Sequence, residues 1–331
     1  MDSSMAAVEA VATPATDEAW RDTSARLTAE LDRIEKRFRG DDVIAGMRDI
    51  RDTLLSVRAG VTREEWLSLC AETVMTHPIA ELILKCPLTR RSNEKPRGYP
   101  GDAPLLDLIY GIGDNLQIPH PATIEGQVHF FVVHSSACRA VRRRREIIAG
   151  EISKAVRNSP GAATILSVAG GHLREAELLD EETRRGIREF HVLDQDADSL
   201  AEVSAKYAAL LPLNPIGKTV RSVLLRHTKF SDLDYIYSAG LFDYLVAPVG
   251  MRLIERLFEM LKPGGRLLIA NFTPALEDIG YMETFMDWRL IYRTVDEVRA
   301  LFDGLPQEDV ASLEAFTDEK GVVAYVAVEK K

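Results

Sequence analysis

The stretch Thr164-Ile-Leu-Ser-Val-Ala-Gly-Gly-His-Leu-Arg-Glu-Ala-Glu177 decides how this chain is read. Its first part, Thr164 to Ala169, is an apolar run of the kind that forms a buried strand. Gly170 and Gly171 then break it. With no Cβ, glycine lets the backbone turn sharply and approach a ligand closely. Leu173, Ala176, Leu178 and Leu179 follow as a helical pattern. A strand, a glycine turn and a helix in succession open the nucleotide pocket of an open α/β sheet. About twenty residues beyond the turn, Phe190-His-Val-Leu-Asp194 reads as a second strand ending in an acid, a spacing that suits a carboxylate accepting hydrogen bonds from ribose hydroxyls.

From Ala163 onward strands and helices alternate, which predicts a largely parallel sheet with helices on both faces. The expected strands are Thr164–Ala169, Phe190–Asp194, Thr219–Leu224, Tyr235–Ser238 and Arg266–Asn271, with an antiparallel pair near Val310–Phe316 and Val322–Val328. Helices are expected at Arg174–Thr183, Ser199–Leu211, Val249–Leu261 and Thr294–Phe302, and Lys262-Pro-Gly-Gly265 reads as a sharp turn. The fold class is therefore α/β: a Rossmann-like, doubly wound, mostly parallel seven-stranded sheet, preceded by an all-helical N-terminal domain. The expected division is a tail over 1–16, a helical lid or substrate domain over 17–150, and the nucleotide-binding domain over 151–331.

The helical part is read from periodicity. Leu27, Leu31, Ile34 and Phe38 predict a helix over Asp17–Phe38, and Val43, Met47, Ile50 and Leu54 one over Asp41–Arg58. Thr62-Arg-Glu-Glu65 is a capping box for a helix running through Trp66, Leu69 and Val74. Short helices follow at Ile79–Lys85 and Leu105–Ile112, and one long helix is expected over Ile124–Ile152. Between them Arg97-Gly-Tyr-Pro-Gly-Asp102 forms a turn that presents Tyr99 and Asp102 as candidate site residues. The run Arg142 to Arg145 reads as a solvated or salt-bridged face.

Composition sets the limits. The 331 residues, 46% hydrophobic and 28% charged, are those of an ordinary globular chain. A net charge of −10 argues against general nucleic-acid affinity, which needs a positive field. Cys70, Cys86 and Cys138 show neither metal-ligand spacing nor a disulfide framework, and no metal is expected. No apolar run reaches the roughly 20 residues that span a bilayer. The segment Met1–Thr16 has no basic start of the secretory type. The expectation is a cytoplasmic protein without membrane or nucleic-acid partners.

The second half, from about Ala163 to Val328, resembles the class I S-adenosylmethionine-dependent methyltransferases. The glycine turn at 169–171, Asp194, Leu261-Lys-Pro-Gly-Gly-Arg-Leu-Leu-Ile269 and the terminal hairpin carry the likeness. Arg97–Asp102, Gly170–Glu177, Leu193–Asp196 and Gly280-Tyr-Met-Glu-Thr-Phe-Met-Asp-Trp288 also resemble a bacterial subfamily of fatty-acid methyl ester (extracellular factor) biosynthesis proteins and natural-product methyltransferases, which includes azetidine-2-carboxylate synthases. The family pattern is acid-x-Gly-x-Gly-x-Gly. Here Ser167 replaces the acid, and Ala169 and Leu173 replace two glycines. The methionine end of the cofactor must then be held differently, with Arg174 or the loop around Tyr99 and Asp102 as candidates.

The resemblance implies S-adenosyl-L-methionine as cofactor. It points to Ala169, Gly170, Gly171 and Arg174 at the turn, Asp194 and Gln195 after the second strand, Ser222 and Val223 near the adenine, and Ser238, Ala239 and Gly240 at the end of the fourth strand. Asn271 ends the fifth strand, and Tyr281, Glu283, Trp288 and Tyr292 follow as an aromatic and acidic segment suited to a sulfonium. Candidates for the chemistry are Tyr99, Asp102, His134, Asn271 and Glu283, with His129 a further possible base. Three functions are open. One is methyl transfer to a small molecule in bacterial secondary metabolism. A second is cyclisation of S-adenosylmethionine as sole substrate, giving azetidine-2-carboxylate and methylthioadenosine. The third is non-catalytic nucleotide binding.

Overall fold

The computed structural model describes residues 17–113, 116, 118–159 and 161–331, so the expected tail over 1–16 lies outside the described residues. The chain opens with helices. α1 (Asp17–Arg39) places Leu27, Leu31, Ile34 and Phe38 inside, and α2 (Val43–Gly60) packs Val43, Met47, Ile50 and Leu54 against it. A fully buried Leu or Ile contributes about 1.5–3 kcal/mol, so this seam holds the pair together. Gly46 is needed there, because a Cβ would come within 2.6 Å of the Phe38 ring. α3 (Arg63–Ser68) starts at the Thr62–Glu65 capping box and continues as a π-helical turn, Leu69–Val74. α4 (Ile79–Ile83), α5 (Pro87–Glu94), α6 (Ala103–Tyr110) and α7 (Ile124–Val133) complete this part.

The long helix expected over Ile124–Ile152 is two helices. Its break falls at His134, whose backbone leaves helical geometry (φ −101°, ψ 8°), and α8 (Ser136–Asn158) begins afresh. The break also moves the domain boundary. The chain forms two compact units, and α8 belongs with the sheet that follows it, not with the helices before it. Its Ile148, Ile152 and Val156 are buried, and it packs on β1 (Ala163–Val168).

The sheet continues through β2 (Ile187–Asp194), β3 (Leu213–Gly217), β4 (Leu233–Ser238), β5 (Leu261–Phe272), β6 (Val310–Thr317) and β7 (Val323–Lys330). Its order is β3-β2-β1-β4-β5-β7-β6. β1 to β5 run parallel, and β7 is reversed against both its neighbours. The expected strand Thr219–Leu224 is instead a short helix, Val220–Leu224. Val220, Val223 and Leu224 fall at i, i+3 and i+4, which is helical spacing. The true β3 carries Asn214 and Pro215, residues that conceal a strand. Pro215 is tolerated because β3 is an edge. The expected helix Arg174–Thr183 is a 3₁₀ turn, Arg174–Leu178, followed by a separate helix, Glu181–Gly186, capped by Asp180. The Lys262-Pro-Gly-Gly265 turn interrupts the β4–β5 register between Leu233 and Tyr235. A Cβ on Gly265 would meet the Leu233 carbonyl at 2.6 Å. Leu253, Ile254 and Leu257 of the helix Ala247–Glu259 and Val298, Leu301 and Phe302 pack with Ile236, Leu267 and Val326 in one core.

Glu277–Arg289 leaves the sheet unit and belongs to the helical one. The reason is Glu283, on the helix Ile279–Phe285. Its carboxylate is sealed and accepts hydrogen bonds from Arg58 Nε (2.7 Å) and Trp66 Nε1 (2.7 Å). Tyr281 bonds Thr89 (2.8 Å), Thr284 bonds Cys70 (3.2 Å), and Gly280 lies flat on the Leu54 backbone, where a Cβ would approach to 2.8 Å.

Removing one partner of a buried, hydrogen-bonded ion pair costs about 3–5 kcal/mol, and partial exposure of Arg58 places the effect at the lower end. Glu283→Ala is therefore expected to lower unfolding free energy by about 3 kcal/mol in urea titrations followed by tryptophan fluorescence. A change under about 1 kcal/mol would show that Glu283 does not hold this segment.

Candidate active site at the ends of the sheet strands

At the end of β1 the backbone takes three left-handed residues in alternation: Ala169 (φ 56°), Gly171 (φ 53°) and Leu173 (φ 51°). Positions 169 and 173 are where the methyltransferase pattern that this turn resembles has glycine. The conformation is kept although the residues are not, at a cost of roughly 1–2 kcal/mol each. The turn is fastened to the end of β2. Leu193 O accepts from Ala169 N (2.8 Å) and Gly170 N (3.3 Å), and Asp194 Oδ2 accepts from Gly171 N (2.8 Å). Gly170 has no room for a side chain, since a Cβ would lie 2.7 Å from Val192 Cγ1 and 2.9 Å from Ser167 Oγ.

Asp194 is buried, and its Oδ1 accepts from Asp196 N (2.9 Å). A carboxylate has about four lone-pair sites, so two bonds leave acceptor capacity for a ligand. The helix cap is supplied by Asp196, which accepts from Asp198 N and Ser199 N and spares Asp194 that task. Gln195 beside it is exposed. At the end of β4, Ser238 Oγ donates to Val168 O (3.0 Å) and so joins β4 to β1. Ala239 and Gly240 are half-buried there.

Sequence reasoning missed Glu175. It follows the turn on the 3₁₀ segment, and its carboxylate accepts a hydrogen bond from Tyr237 OH. Tyr237 is the register partner of Ser167 across β1 and β4. A carboxylate therefore stands beside the place where the pattern lost its acid, supplied from eight positions further along. Burial pushes the Glu175 carboxyl up from the ordinary range, opposed by the Tyr237 hydrogen bond and by the charges of Arg145 and Arg144. The absent acid at 167 was the available signal.

Other candidates are engaged elsewhere. Arg174 is buried and reaches Glu202 (2.8 Å) and Tyr207 OH (3.3 Å), so it braces the turn against the helix Ala197–Tyr207. Ser222 sits on the helix that replaced the expected strand and bonds Thr219 O and Thr228 Oγ1, while Val223 is wholly within the core. Both were expected near the adenine on the strength of the strand expected over Thr219–Leu224, which is a helix here. Asn271 is fully buried. Its amide donates to Phe272 O and Ile291 O, and Arg293 donates to its carbonyl (2.8 Å). Asp243, next to it, accepts from Phe272 N (2.7 Å), and burial raises its carboxyl to about 6.

Tyr99, Asp102, His134 and Glu283 belong to the helical unit. Asp102 caps α6 and holds a two-point ion pair with Arg91 (2.6 and 2.8 Å). Glu283 is committed to Arg58 and Trp66. Tyr99 lies half-buried between Gly98 and Gly101, both at positive φ. His134 is exposed at the end of α7, donating through Nδ1 to Phe130 O (2.7 Å). His129 is buried, which lowers its pKa. The aromatic residues Tyr281 and Phe285 pack on each other (5.3 Å between rings), and Trp288 lies against Gly101. Asp32, Glu35 and His77 form the one metal-capable cluster among the described residues, with Asp32 already paired to His77 and Glu35 to Arg39.

Two outcomes check this geometry. Ala169→Gly should leave the melting temperature unchanged or raise stability by up to about 1 kcal/mol, because it relieves a left-handed residue, whereas Gly170→Ala should destabilise. Asp243 has a folded pKa above its unfolded value of about 3.9, so its stabilising effect is complete below that value and lost as pH rises through about 6. The stability difference between wild type and Asp243→Asn should therefore shift by on the order of 2 kcal/mol between pH 4 and pH 7 in favour of the variant, measured by urea denaturation.

No protein-family model matches this chain, and no curated protein sequence matches it. Among solved structures, a protein described as a possible exported protein from Bordetella parapertussis is similar over 87% of this chain and 95% of its own, with 16% identity and a TM-score of 0.61. A putative methyltransferase from Thermobifida fusca YX is similar over 69% of this chain and 94% of its own, with 15% identity and a TM-score of 0.50. At such identities the likeness is one of fold: this chain shares the Rossmann-like fold of that putative methyltransferase, and here it takes the form of a mostly parallel seven-stranded sheet with a reversed β7.

Proposed function

We propose that this protein is an S-adenosylmethionine-dependent methyltransferase acting on a small molecule in bacterial secondary metabolism. The observation that carries the reading is the left-handed turn at 169–173, fastened to Asp194 at the strand ends. In this reading Asp194 accepts hydrogen bonds from the ribose hydroxyls. The turn lets the backbone come close to the nucleoside, and Gly170 and Gly171 present no side chain to it. Glu175 receives the ammonium of the methionine end, the task left vacant at Ser167. The shared fold with a putative methyltransferase supports the same reading.

The chemistry needs little covalent help. Bound S-adenosylmethionine would supply an already activated methyl group: the acceptor's lone pair would bond to the methyl carbon as the carbon–sulfur bond breaks, the bond's electrons would stay on sulfur, and adenosylhomocysteine would be released. Holding the two reactants in near-attack geometry can supply about 7–11 kcal/mol of the barrier. The net charge of −10 supports a small-molecule acceptor over nucleic acid. No helix among the described residues is long and apolar enough to cross a membrane. All three cysteines are buried and none forms a disulfide among the described residues, which supports a reducing, cytoplasmic setting.

Calorimetry with S-adenosylmethionine tests the binding step. Asp194→Asn, which keeps an acceptor for Gly171 N, should weaken binding about 10- to 100-fold, the worth of charge-assisted hydrogen bonds. Unchanged affinity would remove Asp194 from the site. Mass spectrometry after incubation with an acceptor library should show adenosylhomocysteine only when an acceptor is present. Methylthioadenosine formed from S-adenosylmethionine alone would replace methyl transfer with cyclisation to azetidine-2-carboxylate.

A further inference from the structure

The basic run on α8 is not uniform. Arg143 is exposed and pairs with Glu146 and Glu319 (both 2.8 Å). Arg145 donates to Arg174 O and Glu177 (both 2.8 Å), bracing the turn. Arg144 is different. It is 6% exposed, and among the described residues its guanidinium makes one hydrogen bond, from Nη1 to Ala239 O (2.6 Å). It has no carboxylate partner among those residues. Its Cζ stands 5.9 Å from the centre of the Phe272 ring, and a Cβ on Gly240 would lie 3.7 Å from Nη1 and Nη2. The group thus sits where β4 and β5 end, roofed by an aromatic ring and bordered by a residue with no side chain.

A buried guanidinium without an anion is costly, and proteins rarely keep one idle. Nε and Nη2 of Arg144 are not among the sealed, unpartnered atoms, so they retain access to open space. Their planar fork matches the two oxygens of a carboxylate. Glu175 and Asp243, whose carboxyls feel the Arg144 charge, are hydrogen-bonded to Tyr237 and to Phe272 N instead.

We propose that Arg144 is a carboxylate receptor at the ends of β4 and β5, binding a ligand carboxylate through the free edge of its guanidinium. The inference rests on the nucleotide reading above for its location, and two sources of carboxylate fit it. One is the α-carboxylate of the cofactor's methionine end, whose ammonium would face Glu175. The other is the carboxylate of an acidic methyl acceptor. Gly240 borders the receptor: a Cβ there would touch Nη1 and Nη2 at van der Waals distance, 3.7 Å, and anything longer would reach past the fork.

The test is calorimetry on the full chain, wild type, Arg144→Gln and Arg144→Lys, with three probes: adenosylhomocysteine, methylthioadenosine, which lacks the amino-acid end, and straight-chain fatty acids with benzoate. If the cofactor supplies the carboxylate, Arg144→Gln weakens adenosylhomocysteine about 10- to 100-fold and leaves methylthioadenosine within twofold, with the lysine variant between. If an acceptor supplies it, both nucleosides are unaffected and fatty-acid or benzoate binding is lost. Equal weakening of both nucleosides, together with a lowered melting temperature, would make Arg144 a mere prop for Ala239 and overturn the proposal. So would unchanged binding of every probe. A wild type that binds carboxylates but no nucleoside would reject the nucleotide reading and leave the receptor standing. One that binds no probe rejects both.

Discussion

The fastening of the 169–171 backbone to the end of β2 is the constraint on which the candidate site depends. Three successive backbone N–H groups give their hydrogen bonds to Leu193 O and the Asp194 carboxylate. These bonds tie the turn to the end of β2, so the arrangement fixes where β1 ends and which way the chain leaves it. It also explains why Ala169 and Leu173 endure left-handed backbone. The hydrogen bonds and the burial of Leu173 outweigh a strain of roughly 1–2 kcal/mol per residue.

Charge at the strand ends is arranged by elements that are distant in sequence. Glu175 comes from the segment after the turn, Tyr237 from β4, and Arg144 and Arg145 from α8. Arg145 and Arg174 are structural braces, one to the turn's carbonyl and the other to the helix behind it. Glu175 is held by Tyr237 and Arg144 by the Ala239 carbonyl, and the two side chains are of opposite charge type. A zwitterionic amino-acid end is the complement of such a pair.

In the helical unit two buried carboxylates that the sequence offered for catalysis have structural partners. Asp102 and Glu283 each take an arginine, and Asp102 also caps a helix. Acid residues in a segment rich in aromatics resemble catalytic machinery in sequence. Here Glu283 is what ties Glu277–Arg289 to α2 and Trp66.

By itself the sequence determined the alternation of strands and helices, the turn at Gly170-Gly171, the strand ending at Asp194 and the closing hairpin. These are local signals: hydrophobic period, glycine and chain order. It concealed β3, because Asn214 and Pro215 suit only an edge strand and edges are assigned by the sheet. It joined α7 to α8 because apolar periodicity runs through His134 unbroken, while the packing partners change there. Residue roles belonged to the tertiary structure. Whether an arginine is solvated, spent on a carbonyl, or buried with donors to spare depends on what lies opposite it. For Arg142 to Arg145, four neighbours of one type, only the fold decided that Arg144 turns inward toward Ala239.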